Sequence, residues 1–374
     1  MMEKPVLVIG LGPSGLFLIR QLYNITTNIY AIGQRNEIGK YSKYIHREKC
    51  YLVESEEKIE EVLKEIYNRE AMKTQVYICS DMYLTIFLHN YEKWKVYFDS
   101  DMLDLHILQI INDKQMLATY FGEQSNIIPP VFSLKKFKKE TKRKYPIIIK
   151  IKEKNFNLRN SPILKTYICS CDAEFINIYY KLEEDQLLDA YIIQPYILGN
   201  NGNQYSVGGY YLSGKEKASV VVRQIKQYPQ GVSAEVYSVD NEISRRISKL
   251  TYDFVNKINY SGFLEMEYKY DIVSGNIFLL DINPRPWGWI SILECVYDKF
   301  YLALEGEQLK KKNKKVVWKN IMRLFLAARN RNNIAEDLEI KEYVKKIDLV
   351  ELKDLKPLIM IPMILIKKFL KRIY

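Results

Sequence analysis

Short unbroken apolar runs recur through the first eighty residues: "VLVIG" at 6–10, "NIYAIG" at 28–33, "KCYLV" at 49–53 and "QVYICS" at 75–80. Runs of this length, closed by glycine or polar residues, predict buried strands. Between the first two, "PSGLFLIRQL" has apolar residues at helical spacing, and residues 55–70 are charged with the same period. Strands that alternate with helical stretches predict a parallel α/β sheet, closing near residue 110.

The pattern then changes. "INDKQMLATYFGEQSNIIPP" (111–130) predicts one helix stopped by its proline pair. "YPIIIKIKEK" (145–154) predicts a strand with Lys150 near its end, and residues 155–165, with Pro162, predict a loop. Residues 172–184 are helical in period, and "AYIIQPYILG" (190–199) reads as a strand ending in a turn at Gly199. Four more strands are expected in "YSVGGYYL", "KASVVVRQIKQYP", "GFLEMEYKYDI" and "NIFLLDINPRP", with Gly214 and Gly275 supplying turns. This part is antiparallel-rich with few helices. The lysine run "KKKNKK" (310–315) marks a boundary to a tail.

Composition narrows the chemistry. The 374 residues suffice for two or three domains, and 48% apolar content can build their cores. No basic segment followed by an apolar stretch opens the chain, so no signal peptide is expected, and no apolar run reaches spanning length. Five cysteines without a CxxC pair fit a reduced cytoplasmic protein. Cys169 and Cys171 form a CxC with no partner cluster. His46, His89 and His106 are scattered, which argues against a histidine metal site or a Ser-His-Asp triad. The net charge of +11 is concentrated: residues 307–374 carry 18 Lys/Arg and 8 Asp/Glu, and the rest is nearly neutral. Such a tail fits an anionic membrane surface or a solvated helical face, with nucleic acid the less favoured partner.

"GLGPSG" places Gly10, Gly12 and Gly15 between a strand and a helix, as a dinucleotide fingerprint requires. The second strand, however, ends in Gly33-Gln34 where an acid would bind ribose, and Glu37 comes late. A tight strand–helix turn is the preferred reading; a nicotinamide or flavin oxidoreductase is the alternative.

A stronger signal lies in residues 262–286. Glu265 and Glu267 share one face of a strand, as Asp281, Asn283 and Arg285 share one face of the next. If the two strands pair through Ser274-Gly275, Glu267 and Asp281 approach each other. Carboxylates with a carboxamide oxygen suit Mg²⁺, and an adjacent arginine suits a phosphoryl group. Asp281 and Asn283 interrupt an apolar run, although both types are poor strand formers. Lys150 follows "PIII", where an ammonium leaving a buried strand calls for an anion.

Together these motifs resemble the ATP-grasp superfamily of carboxylate–amine ligases, over most of the first 305 residues. "NDKQ", "YPIIIK", "IIQPYILG", "VVVRQIKQYP", "EMEYK" and "DINPRPWG" each match a family element in order. The last two are the most specific, and "VVVRQIKQYP" and "DINPRPWG" resemble the D-aspartate ligase-like subgroup. The resemblance implies a mixed α/β and α+β architecture. A Rossmann-like domain (1–110) leads, followed by the two lobes of an ATP-grasp domain (111–190 and 191–306) and a basic C-terminal extension (307–374). It implies ATP and Mg²⁺ as cofactors, with Glu267, Asp281 and Asn283 holding metal. Lys114, Lys150 and Lys165 would meet phosphates, and Gln194, Tyr196 and Ile197 adenine. Arg285 would stabilise the transferred phosphoryl group, and Arg223 would face substrate or the γ-phosphate. The implied substrates are a small-molecule or peptide carboxylate and an amine. Three features depart from the family pattern: Pro195 follows Gln194, no glycine-rich flap follows Lys150, and aspartate rather than glutamate stands at 281. A weak ATP-binding module is therefore a further alternative. The apolar-basic end, residues 358–374, fits an interfacial anchor, which would place a cytoplasmic protein at the inner membrane face; a homodimer is also left open.

Overall fold

The computed structural model describes residues 4–100, 104–121, 127–153, 163–199, 201–229, 231–329 and 343–363. Their architecture is mixed α/β with several sheets. The chain forms two compact units, one of Met1–Leu103, Ser206–Glu265 and Asn283–Tyr374, the other of Asp104–Tyr205 and Met266–Ile282.

In the first unit, β1 (Val6–Ile9), β2 (Ile29–Gly33), β3 (Cys50–Leu52), β4 (Thr74–Ile78) and β5 (Phe98–Asp99) form a parallel sheet in the order β3-β2-β1-β4-β5. The four apolar runs are its four main strands, and every residue of β1 and β2 is buried. The helix Glu56–Glu70 starts at Ser55, whose side chain accepts from Lys58 N, and buries Ile59, Val62, Leu63 and Ile66 at helical spacing. The glycine turn is steric in origin. Gly10 has φ +91°, and a Cβ on Gly15 would lie 1.9 Å from the Gly10 carbonyl oxygen, so the helix Pro13–Leu22 can approach β1 only with glycine there.

The second unit holds β6 (Phe132–Ser133), β7 (Ile147–Ile151), β8 (Thr166–Cys169) and β9 (Tyr191–Pro195), antiparallel in the order β6-β9-β7-β8. Ile147, Ile149 and Ile151 are buried, while Ile148 and Lys150 are half-buried: the pleat sorts a continuous apolar run into two faces. Phe175, Tyr179 and Leu182 of the helix Asp172–Glu184 join the buried isoleucines in one core. The single helix expected over 111–130 is instead two, Leu105–Asn112 and Lys114–Phe121. Asp113 is the cause: its buried carboxylate accepts from Gln115 N (2.7 Å) and Met116 N (2.9 Å), ending one helix and starting the next. Most of the expected loop at 155–165, including Pro162, lies outside the described residues, as does the segment where a flap would follow Lys150.

Seven strands form the remaining sheet: β10 (Gln204–Leu212), β11 (Lys215–Gln227), β12 (Ser233–Ser238), β13 (Gly262–Tyr270), β14 (Ile277–Asn283), β15 (Val316–Lys319) and β16 (Val344–Ile347). Their order is β14-β13-β10-β11-β12-β15-β16. The strands β10, β13 and β14 each pass from one unit into the other. The hairpin turn falls where expected, with Asp271 accepting from Gly275 N (2.8 Å) and Gly275 at φ +69°. The strand β12 and the sixteen-residue helix Glu242–Lys257 are additional to the strands expected from sequence.

The described part of the C-terminal region is built into the first unit. The strand β16 lies parallel to β15, and Asp354, almost fully buried, accepts from Arg20 Nε (3.0 Å), Ser42 Oγ (2.8 Å) and Lys43 N (3.0 Å). Residues 364–374, most of the expected interfacial anchor, lie outside the described residues. No helix among the described residues is long and apolar enough to cross a membrane.

Candidate functional site

In the second unit, several polar side chains lie on β13, on β14 and on the elements around them. Asp281 is partly exposed, and Lys114 Nζ lies 3.8 Å from its Oδ1. Lys150 Nζ donates to the carbonyl of Leu280, the residue before Asp281, at 3.4 Å. Two ammonium groups therefore reach consecutive residues of one strand. Lys114 is placed by the Asp113 cap and by its own N–H, which donates to the Lys152 carbonyl at 3.2 Å. Glu267 is half-buried on β13, the neighbour of β14, and Gln204 Nε2 donates to its Oε2 at 3.1 Å.

The expected adenine segment is also placed. Ile148 of β7 pairs with Gln194 of β9, whose buried amide donates to the Pro129 carbonyl at 3.1 Å. Tyr196 N donates to the Pro146 carbonyl at 3.0 Å, and Tyr196 and Ile197 are half-buried just beyond β9. Lys269, two residues after Glu267, holds its ammonium 5.1 Å from the Tyr196 ring centroid, and burial pushes its pKa down. Parity along β13 puts Lys269 on the face of Glu267. Lys165 is exposed, and its carbonyl accepts from Ile151 N at 3.1 Å.

In the first unit, Asn283 closes β14, buried, with Nδ2 donating to Glu265 Oε2 at 3.1 Å. Trp289 Nε1 donates to the other oxygen of Glu265 at 2.8 Å. The expectation that Arg285 shares the face of Asp281 and Asn283 on one strand is corrected. The strand ends at Asn283, and after Pro284 the chain turns, with Arg285 N donating to the Asn283 carbonyl at 2.9 Å. The Arg285 guanidinium meets Asp81 through Nε (2.7 Å) and NH2 (2.8 Å). Asp81 opens the helix Asp81–His89 after β4. Arg223 NH1 donates to the hydroxyl of its cross-strand partner Tyr237 at 2.9 Å. Glu265 and Asp81 in the first unit, and Gln204 and Lys269 in the second, are thus each a partner or neighbour of an expected side chain. Their pairings are long-range, and only strand parity pointed to any of them.

Among the described residues no group of three or more His, Cys, Asp or Glu side chains could hold a metal ion. Glu267 and Asp281 in the second unit each offer a carboxylate and Asn283 in the first a carboxamide oxygen, donor types that suit a hard cation such as Mg²⁺.

No family model and no curated protein matches the sequence. Solved structures match the fold. An N5-carboxyaminoimidazole ribonucleotide synthetase in its ADP complex has a TM-score of 0.64 at 12% identity, covering 88% of this chain and 85% of that one. A Campylobacter jejuni biotin carboxylase, solved as a β-γ-ATP complex, gives 0.63 at 14% identity over 84% of this chain and 75% of its own. An L-amino acid ligase from Bacillus licheniformis gives 0.60 at 11% identity, over 82% and 75%. The chain has the ATP-grasp fold that its motifs led one to expect; at such identities the likeness is one of fold.

Proposed function

We propose that the chain is an ATP-dependent ligase joining a carboxylate to an amine through an acyl-phosphate. The observation that carries this is the convergence of Lys114 and Lys150 on Leu280 and Asp281, on the strand that also bears Asn283. Cations beside a carboxylate that stays partly exposed suit a metal-bound polyphosphate better than a closed structural ion pair. The shared fold supports the same reading, since solved neighbours hold ADP or β-γ-ATP.

In this reading Glu267, Asp281 and Asn283 would hold Mg²⁺, which would supply positive charge to offset that of the phosphates. Lys114 and Lys150 bind the phosphates, and the segment 194–197 receives adenine. Arg285 faces the phosphoryl group in transfer, and Arg223 faces the acid substrate. A substrate carboxylate oxygen attacks the γ-phosphorus and the bond to ADP breaks. The amine then attacks the acyl carbon, phosphate leaves with the C–O bond pair, and the nitrogen sheds a proton. No side-chain nucleophile is needed, so catalysis lies in positioning and charge stabilisation.

The test is a screen of amino acids, short peptides and sugar acids, each with a range of amines, for ADP release in the presence of Mg²⁺. Asp281→Ala serves as the control. Release that depends on both substrates and on Asp281 supports the ligase; ATP binding without release across the screen points to a non-catalytic module instead.

A further inference from the structure

We infer that Glu265 is a positioning residue that decides which end of the Asn283 carboxamide faces the metal–phosphate site; the inference rests on the function proposed above. An asparagine at a strand end can present either its oxygen or its NH₂, and only the oxygen can serve a cation. Here Asn283 Nδ2 donates to Glu265 Oε2 at 3.1 Å, so Oδ1 is directed away from Glu265. An ionised carboxylate only accepts hydrogen bonds, which makes the reverse orientation unfavourable.

Glu265 is itself fixed. Trp289 Nε1 donates to its Oε1 at 2.8 Å, and Glu265, Asn283 and Trp289 are 7%, 7% and 1% exposed. A carboxylate so buried is costly unless its oxygens receive donors. The indole and the carboxamide supply one each, so the two oxygens are not interchangeable in use. The chain of constraint runs from Trp289 through Glu265 to Asn283.

This makes a specific exchange informative. In Glu265→Gln the indole N–H still needs an acceptor, so the new amide keeps its oxygen toward Trp289 and turns its NH₂ toward Asn283. Asn283 then flips, bringing its oxygen inward and its NH₂ to the cation side. Adding Asn283→Asp gives the NH₂ of the new amide an acceptor again and leaves a second carboxylate oxygen for the cation, at unchanged total charge.

The probe is ADP with Mn²⁺, measured by calorimetry with and without EDTA and by the paramagnetic resonance of free Mn²⁺. Wild type is expected to bind ADP more tightly with Mn²⁺ than without. Glu265→Gln should reduce that metal-dependent gain at least tenfold while leaving metal-free ADP affinity within a factor of two. The double variant should recover it to within about threefold of wild type. A merely structural role for Glu265 would move both affinities together. The inference is overturned if Glu265→Gln keeps the metal-dependent gain, or if the double variant recovers none of it. Should Glu265→Gln not fold, the double variant still decides, because the inference requires it to fold and to bind Mn²⁺–ADP. If wild type itself shows no metal-linked ADP binding, the proposed function fails. The Glu265–Asn283 pairing is then read from thermal unfolding in EDTA, where the swap must restore what the single change loses.

Discussion

Arg285 and Asp81, 204 positions apart in sequence, are joined by two parallel hydrogen bonds of 2.7 and 2.8 Å. A fork-to-fork pair fixes the plane of the guanidinium as well as its place. The side chains are 20% and 43% exposed, so the pair adds only on the order of 1 kcal/mol to stability. Its main effect is direction: Arg285 lies beyond the end of its strand, and Asp81 replaces the strand as the element that aims it. Asp81→Asn keeps the volume and removes one acceptor. Unfolding free energy should change by less than about 1 kcal/mol. ADP release should slow roughly tenfold or more, with ADP affinity unchanged. Steady-state assays beside a denaturant titration check both, and an unaltered rate would count against the role given to Arg285.

Lys150 offers a second test that needs no knowledge of the acid or the amine. Its ammonium donates to the Leu280 carbonyl at 3.4 Å. Lys150→Met keeps the stem and removes the charge. Affinity for Mg²⁺–ADP should fall at least about tenfold, while the melting temperature stays within a few degrees. Calorimetry with ADP reads the first quantity directly; equal affinities would remove Lys150 from the phosphate set.

Much of the fold was legible because its strands are buried on both faces and announce themselves as apolar runs. The run "VLVIG" is β1 and "QVYICS" contains β4, and the hairpin turn falls where Ser274-Gly275 predicted it. The helix Glu242–Lys257 carries its own signals in the sequence: Asn241 and Ser244 form a capping box, and Ile247, Thr251, Phe254 and Val255 follow at helical spacing. The charged exterior of that helix diluted the apolar pattern. The break at Asp113 was hidden for another reason: a capping aspartate inside an apolar-periodic stretch looks like one more polar position until its bonds are known. Glu267, Asp281 and Asn283 stand out in the sequence by parity and residue type alone. Asp81 does not, because nothing local to "SDMYL" indicates a partner two hundred residues away.

Asp348 makes stability depend on pH in a direction set by its burial. Desolvation raises its pKa from the ordinary 3.8 to about 7, against the opposing influence of Arg323 and of Asn320, which donates to it at 2.9 Å. A folded-state pKa above the unfolded value means that the folded protein holds the proton more tightly. The stabilisation is complete below about pH 4 and is lost as pH rises through about 7. The slope for one proton is at most about 1.4 kcal/mol per pH unit. Asp348→Asn should flatten stability between about pH 5 and 7 while leaving other slopes alone. Denaturant titrations at several pH values measure this, and parallel curves for variant and wild type would contradict it.

The docking of the C-terminal region turns on Arg20 and Asp354. Asp354 is 2% exposed, and three donors from two separate segments, one from Arg20 and two from Ser42 and Lys43, converge on its carboxylate. Arg20 also donates to the Leu349 carbonyl at 3.3 Å, so one guanidinium holds two points of the same segment. Removing Arg20 strands a buried charge, which typically costs about 3–5 kcal/mol. Removing both charges with apolar side chains of similar volume typically costs far less. Arg20→Ala should therefore destabilise the protein by about that amount and expose residues 343–363 to limited proteolysis. Arg20→Met with Asp354→Leu should recover most of the loss. If Arg20→Ala costs under about 1 kcal/mol, the segment is held by β16 and its apolar contacts, and the ion pair only marks where it lies.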